Sequence, residues 1–251
     1  MCCFSGPVKS VSNTKIFARA GRAGRQFVAY QMRLDAPQEL AMILPLPTSP
    51  KPLENDVRFF EEFKEYPQFF EDLERGFPQE IAAAPPGNSN SRNPLKVVDV
   101  GNYEASFVPN LEKFERLDER FQLPSNTWKE LPKYSDFSFA VFRMKPGLQS
   151  VHPMVFDFPR RYPRRLFFPT VHIHDGKVHP LADFDHVLYL QASPDGKHNL
   201  MKWEESKQPA GAFVNVGKTM ISSKTESVVD LETHVYRYEI HGEQKNVDVY
   251  M

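Results

Sequence analysis

The chain has 251 residues, 41% of them hydrophobic and 25% charged, with a formal net charge of −1. That length supports one large β-rich domain or two small ones. The even charge balance excludes a dedicated nucleic-acid or membrane-surface binder, which would carry a strong basic excess, and no stretch nears the roughly 20 apolar residues of a membrane-spanning helix.

Taken in chain order, the first feature is the adjacent pair Cys2 and Cys3, the only cysteines present. Neighbouring cysteines cannot staple a compact fold. No basic region leads into an apolar run, so a secretory signal is not expected and the cytoplasm is the default compartment. Next come Thr14–Ala20 and Arg25–Leu34, two alternating runs around a Gly-supplied turn, which predict a hairpin. The stretch "RAGRAGR" inside it is basic enough to suggest phosphate, but it lacks the strand-to-helix context of a phosphate loop. "LAMILPLP" (Leu40–Pro47) predicts a buried strand closed by prolines.

Phe60, Phe63, Phe70, Leu73 and Phe77 recur at helical steps, so Asp56–Phe77 is predicted as two helices broken at Pro67. "APPGNSNSRNP" (Ala84–Pro94) reads as a flexible loop. "LKVVDVGNYEASFVP" reads as two strands. A helix capped by Asn110 follows, with Leu111, Phe114, Leu117 and Phe121 on its buried face. Ser138–Lys145, "HPMVFDFP", "RLFFPTVHIH", "HVLYLQ", "AFVNV" and "HVYRYEI" are predicted strands. The expected fold is therefore a single α+β domain over residues 1–251, mainly antiparallel sheet with two or three helices.

This order of segments resembles an uncharacterised family of exported bacterial proteins. The resemblance rests on the early Cys pair, "LPLP", "VVDVGNYEASFV", and "FAVFRMKPG" leading into "VHPMVFDFP" and "RLFFPT", over roughly residues 2–170. The chain lacks that family's leader and adds a His-rich stretch. The family has no established activity, so the resemblance implies a fold and no reaction.

The sharpest chemical signal is "VHIHDGKVH" (Val171–His179), which holds three of the eight histidines. Asp-Gly between apolar flanks predicts a type I′ turn. That register would set His172 opposite His179, with His174 on the same side and Cβ atoms about 5 Å apart. Three imidazoles would then share one ion and leave a coordination position open. Slipping the turn by one residue dissolves the cluster and leaves a polar face on a surface ribbon, and both readings stay open. Asp183 and Asp185 are candidates for outer-shell carboxylates.

The leading expectation is a copper- or zinc-binding protein, iron being less suited, with His172, His174, His179 and His186 as ligands and Cys2 and Cys3 completing the site. As an enzyme it would use metal-activated water or oxygen chemistry. Two alternatives stand beside it. One is a non-catalytic protein-interaction module. The other is an amide hydrolase whose nucleophile is Cys2, made N-terminal by removal of Met1. The expected partner is a protein or a small-molecule substrate, not nucleic acid or a membrane.

Overall fold

Consecutive aromatic residues that must face opposite ways define this architecture. The computed structural model describes residues 2–49, 52–53, 56–77, 103–192, 199–213 and 228–251. The loop expected at 84–94, the strand read in 95–100 and most of "AFVNV" lie outside them. In chain order the strands are β1 (Cys2–Phe4), β2 (Ser10–Ala20), β3 (Arg25–Ala36), β4 (Leu40–Leu46), β5 (Arg58–Phe59), β6 (Glu104–Val108), β7 (Ser138–Met144) and β8 (Gly147–Ser150). Then follow β9 (Met154–Pro159), β10 (Phe167–Phe168), β11 (His172–Ile173), β12 (Leu181–Gln191), β13 (Glu204–Glu205), β14 (Tyr236–Lys245) and β15 (Val249–Tyr250). The helices are short: α1 (Phe69–Glu74), α2 (Ser125–Lys129) and a few 3₁₀ turns.

One sheet runs β11-β1-β4-β7-β6 and a larger one β13-β14-β12-β2-β3-β9-β5, with β8 also on β3; β10 and β15 form a separate pair. Most neighbours are antiparallel, as expected. The sheets are nevertheless mixed, because β1 lies parallel to β11 and β2 parallel to β12. The strand β4 is buried at every position, as a central strand covered on both faces must be. One apolar cluster joins Met42 and Leu44 of β4 and Phe139 and Phe142 of β7 to Ile16, Val28, Tyr30 and Phe156 of the larger sheet. Phe17, Ala29, Val155 and Tyr189 point the other way, against Phe63, Phe69, Phe70 and Leu73. The period-two alternation of Ile16, Phe17 and Ala18 thus feeds two cores. Among the described residues no helix is long and apolar enough to cross a membrane.

The predicted hairpin forms, with Ala20 opposite Gln26 and its turn closed through left-handed Ala23 and Gly24. The first of the two predicted helices does not. Phe59 packs on Phe142 at 5.7 Å while Phe60 packs on Phe27, also at 5.7 Å. These rings belong to the two different cores, and neighbouring residues reach opposite sides only from extended chain. The segment therefore becomes β5 and a 3₁₀ turn, Glu61–Glu65, and regular helix starts only after Pro67, as α1. Asn110 caps as expected, its side chain accepting from the Lys113 amide at 3.2 Å, but it starts a short 3₁₀ turn, Leu111–Arg116, and a second such turn, Glu119–Phe121, follows under its own cap, Asp118.

The second core closes where Gly76 meets Phe213. A methyl group at Gly76 would overlap the buried Phe213 ring. Gly76→Ala is expected to lower stability by about 1–3 kcal/mol, read as a lower chemical-denaturation midpoint.

Candidate functional site

The histidines meet, though not by the expected route. No hairpin ladder forms at Asp175-Gly176. The strand β11 is two residues long and its partner is β1, with Cys2 opposite His172 and Cys3 opposite Ile173. What fixes β11 from its other side is an amide near the C-terminus. Asn246 Oδ1 accepts from the His172 backbone N–H at 2.7 Å, while Asn246 Nδ2 donates to the carbonyls of His172 and His179 at 2.8 and 2.9 Å. Asp248 Oδ1 accepts from the Thr170 and Val171 amides just before the strand.

The paired strand β12 brings the remaining histidine. Its alternation turns Phe184 and His186 inward, 4% and 1% exposed. The His172 ring stacks on His174 at 4.9 Å and 19°, and lies 4.5 Å from Phe184 and 4.8 Å from His186. Phe4 also touches His174, tilted at 55° with the ring centroids 5.6 Å apart. Nε2 of His172 and Nε2 of His186 are 3.1 Å apart, so one carries the hydrogen and the other accepts it. The Asp185 carboxylate lies 3.7 Å from the opposite nitrogen, Nδ1 of His186. Asp185 is itself held by the Asn13 amide at the bulge in β2.

Burial governs the electrostatics. It pulls the His172 imidazole down to about 2, helped by the neighbouring His186. It pulls His174 and His186 to about 4, although Asp185 pushes His186 back up. All three rings are therefore neutral at pH 7, the form in which imidazole offers a lone pair to a metal or a hydrogen-bond donor. Nε2 of His174 and Nδ1 of His186 are buried without a hydrogen-bond partner among the described residues. The cluster borders a cavity of about 660 Å³ whose other walls include Ser12, Thr14, Asp183 and Asp185.

The expected ligand set is thus rearranged. His172, His174 and His186 come together. His179 is exposed and bonded to Asp175 at 3.0 Å, because the chain bends after Ile173 instead of returning as a strand. Asp175 also accepts from the Lys177 amide at 3.0 Å, a local turn that competes with the hairpin. Cys3 is fully buried in the core beside Ile173, so it does not serve the histidine pocket. Cys2 sits in β1 at the position paired with His172, and its side chain lies outside the described set. Among the described residues, no three His, Cys, Asp or Glu side chains are grouped to hold a metal ion. The roles of Asn246 and Asp248 were not legible beforehand. They lie in "KNVDV", more than 65 residues from the groups they hold. Asn246→Ala should cost about 1–3 kcal/mol through the unpaired buried backbone groups of β11, and should raise amide exchange at His172 and Ile173 ahead of the rest of the sheet.

No family model and no curated protein matches the chain. Solved structures do. A crystal structure of baculovirus P35 aligns at 14% identity over 99% of this chain and 98% of that one, with a TM-score of 0.51. A mutated baculovirus P35 after caspase cleavage aligns at 12% identity over 96% and 97%, with a TM-score of 0.47. The caspase-8/P35 complex aligns at 12% identity over 95% of each chain, with a TM-score of 0.44. The first of these establishes a shared overall fold.

Proposed function

We propose that this chain works by binding another protein, and that its partner is a cysteine protease of the caspase class. The observation that carries the reading is the end-to-end likeness to baculovirus P35. Baculovirus P35 is the protein bound in a caspase-8 complex and the one cut in a structure solved after caspase cleavage. A non-catalytic interaction module was among the expectations from sequence, and an ordered, doubly cored sheet scaffold suits that role, because most partners of rigid modules dock without large backbone rearrangement.

The test is direct. Purified chain is pre-incubated with a caspase, and hydrolysis of a fluorogenic Asp-containing peptide is followed alongside size-exclusion chromatography. The reading expects hydrolysis to fall as chain is added and the two proteins to co-elute. Undiminished hydrolysis with separate elution across a panel of caspases would remove it. A Cys2→Ala variant run in parallel addresses the amide-hydrolase alternative: any peptide-cleaving activity of the chain itself should vanish in it.

A second reading is favoured by the His172–His186 pair. Two neutral imidazoles with Nε2 atoms 3.1 Å apart and a carboxylate behind one of them offer two of the donors that a copper or zinc site needs. A further donor would have to join them, and Cys2 is the residue whose register sets it beside His172. Elemental mass spectrometry of untagged protein tests this. Near-stoichiometric metal that disappears in His186→Ala supports it, and none after reloading with zinc or copper excludes it.

A further inference from the structure

The arginines of "RAGRAGR" converge on one groove. Strand register explains how. Arg19 of β2 is opposite Phe27 of β3, Phe27 is opposite Asp157 of β9, and Asp157 is opposite Arg58 of β5. These four residues form one row across four strands and share one face. Arg25 lies two residues before Phe27 and so joins that face. Arg22 stands at the hairpin tip, exposed. Together they line a groove of about 890 Å³, whose other wall is formed by residues 229–232.

The guanidiniums are pre-organised. Arg25 grips Asp157 with Nε at 3.0 Å and Nη2 at 2.6 Å, and Nη2 also donates to the Asp56 carbonyl at 2.6 Å. Arg58 grips the same carboxylate with Nε at 2.9 Å and with Nη2. Both forks thus spend Nε and Nη2 on Asp157, and among the described residues each Nη1 amino group is left to take a ligand. Arg19 lies over the Phe27 ring with its guanidinium carbon 5.5 Å from the centroid, within cation–π range. Among the described residues lining the groove, four arginines face three acids, Asp157, Asp230 and Glu232. Asp157 is fully buried and already satisfied by two forks, and Asp230 is the acid that acts on Arg19. One carboxylate shared by two guanidiniums leaves Arg25 and Arg58 with one surplus positive charge between them, and Arg22 adds a further guanidinium at the rim.

We propose that this groove binds a phosphate group, supplied as inorganic phosphate or as a phosphomonoester. Several guanidinium N–H donors from separate strands, converging with one surplus positive charge, match a tetrahedral oxyanion better than a single carboxylate. Phe27, Val229 and Leu231 flank the site with apolar surface. The sequence motif pointed to this chemistry, but the hairpin and β5 build the site and no helix N-terminus takes part. The assignment does not depend on the caspase reading, since it rests on the residues of the groove alone.

Isothermal titration of sodium phosphate and of phenyl phosphate, at matched ionic strength in chloride buffer, is the test. Saturable one-site binding is expected. Arg22→Ala should weaken it about tenfold, the loss of one charge-assisted contact, and Arg22→Ala/Arg58→Ala should weaken it further. Arg164→Ala, an exposed arginine outside the groove, should bind as the parent does. Tighter binding of phenyl phosphate than of phosphate identifies the monoester as the better ligand, and equal binding identifies inorganic phosphate. No heat beyond the chloride control, or unchanged affinity in Arg22→Ala with a native denaturation profile, overturns the proposal.

Discussion

Asp157→Ala is expected to destabilise the protein by about 3–5 kcal/mol, as breaking a buried ion pair from one side does. The carboxylate is fully buried, while its partners differ: the Arg25 side chain is 19% exposed and that of Arg58 is 58% exposed. Burial alone would raise the Asp157 carboxyl above the usual range, but hydrogen bonds from Arg58 and Arg25 outweigh it and hold it below. Removing the anion strands Arg25 against the Asp56 carbonyl and leaves two cations facing each other. Arg58→Ala should cost much less, about 1 kcal/mol or below, because that side chain is largely solvated. Guanidinium denaturation of the two variants measures the contrast. Equal losses, or a loss under about 1 kcal/mol for Asp157→Ala, would mean that the pair does not anchor β5 to β9.

Acid should unfold the metal-free protein well before its carboxylates titrate. His172, His174 and His186 have folded values of about 2, 4 and 4, below the 6.5 of an unfolded imidazole. The unfolded chain therefore takes up protons first. Stability is complete above about pH 6.5 and falls as the pH drops through that value towards the folded ones. Each imidazole contributes up to about 1.4 kcal/mol per pH unit, so the three together approach about 4. Denaturation midpoints at pH 7.5, 6 and 5 should decline steeply, and His186→Leu should flatten the decline. A midpoint that does not move between pH 7.5 and 5 would contradict the neutral stack.

How far the sequence reaches differs between fold and site. The β2–β3 hairpin, β4, β7, β9, β12 and β14 were legible because each carries its own alternation or apolar run. The segment around Phe59 and Phe60 was not, because its spacing fits a helix as well as an extended chain that serves two cores. Only tertiary packing chooses between them. The histidine cluster was half legible. His172, His174 and His186 were among the expected ligands, yet the partner of β11 turned out to be β1. A local Asp-Gly signal cannot report a pairing between residues 2 and 172. Asn246, Asp248 and the Arg19–Phe27–Asp157–Arg58 row were illegible for the same reason: each depends on a register set far away in the chain.

That long-range weaving has a consequence for a broken chain. A cut anywhere between residues 77 and 103 would divide β1–β5 from β6–β15. Among the described residues six strand pairs cross that division: β1 with β11, β4 with β7, β2 with β12, β3 with both β8 and β9, and β5 with β9. The two pieces are interleaved in both large sheets, so neither owns a core. A nicked molecule should migrate as one body in native conditions, separate only in denaturant, and regain its shape when the halves are mixed and refolded.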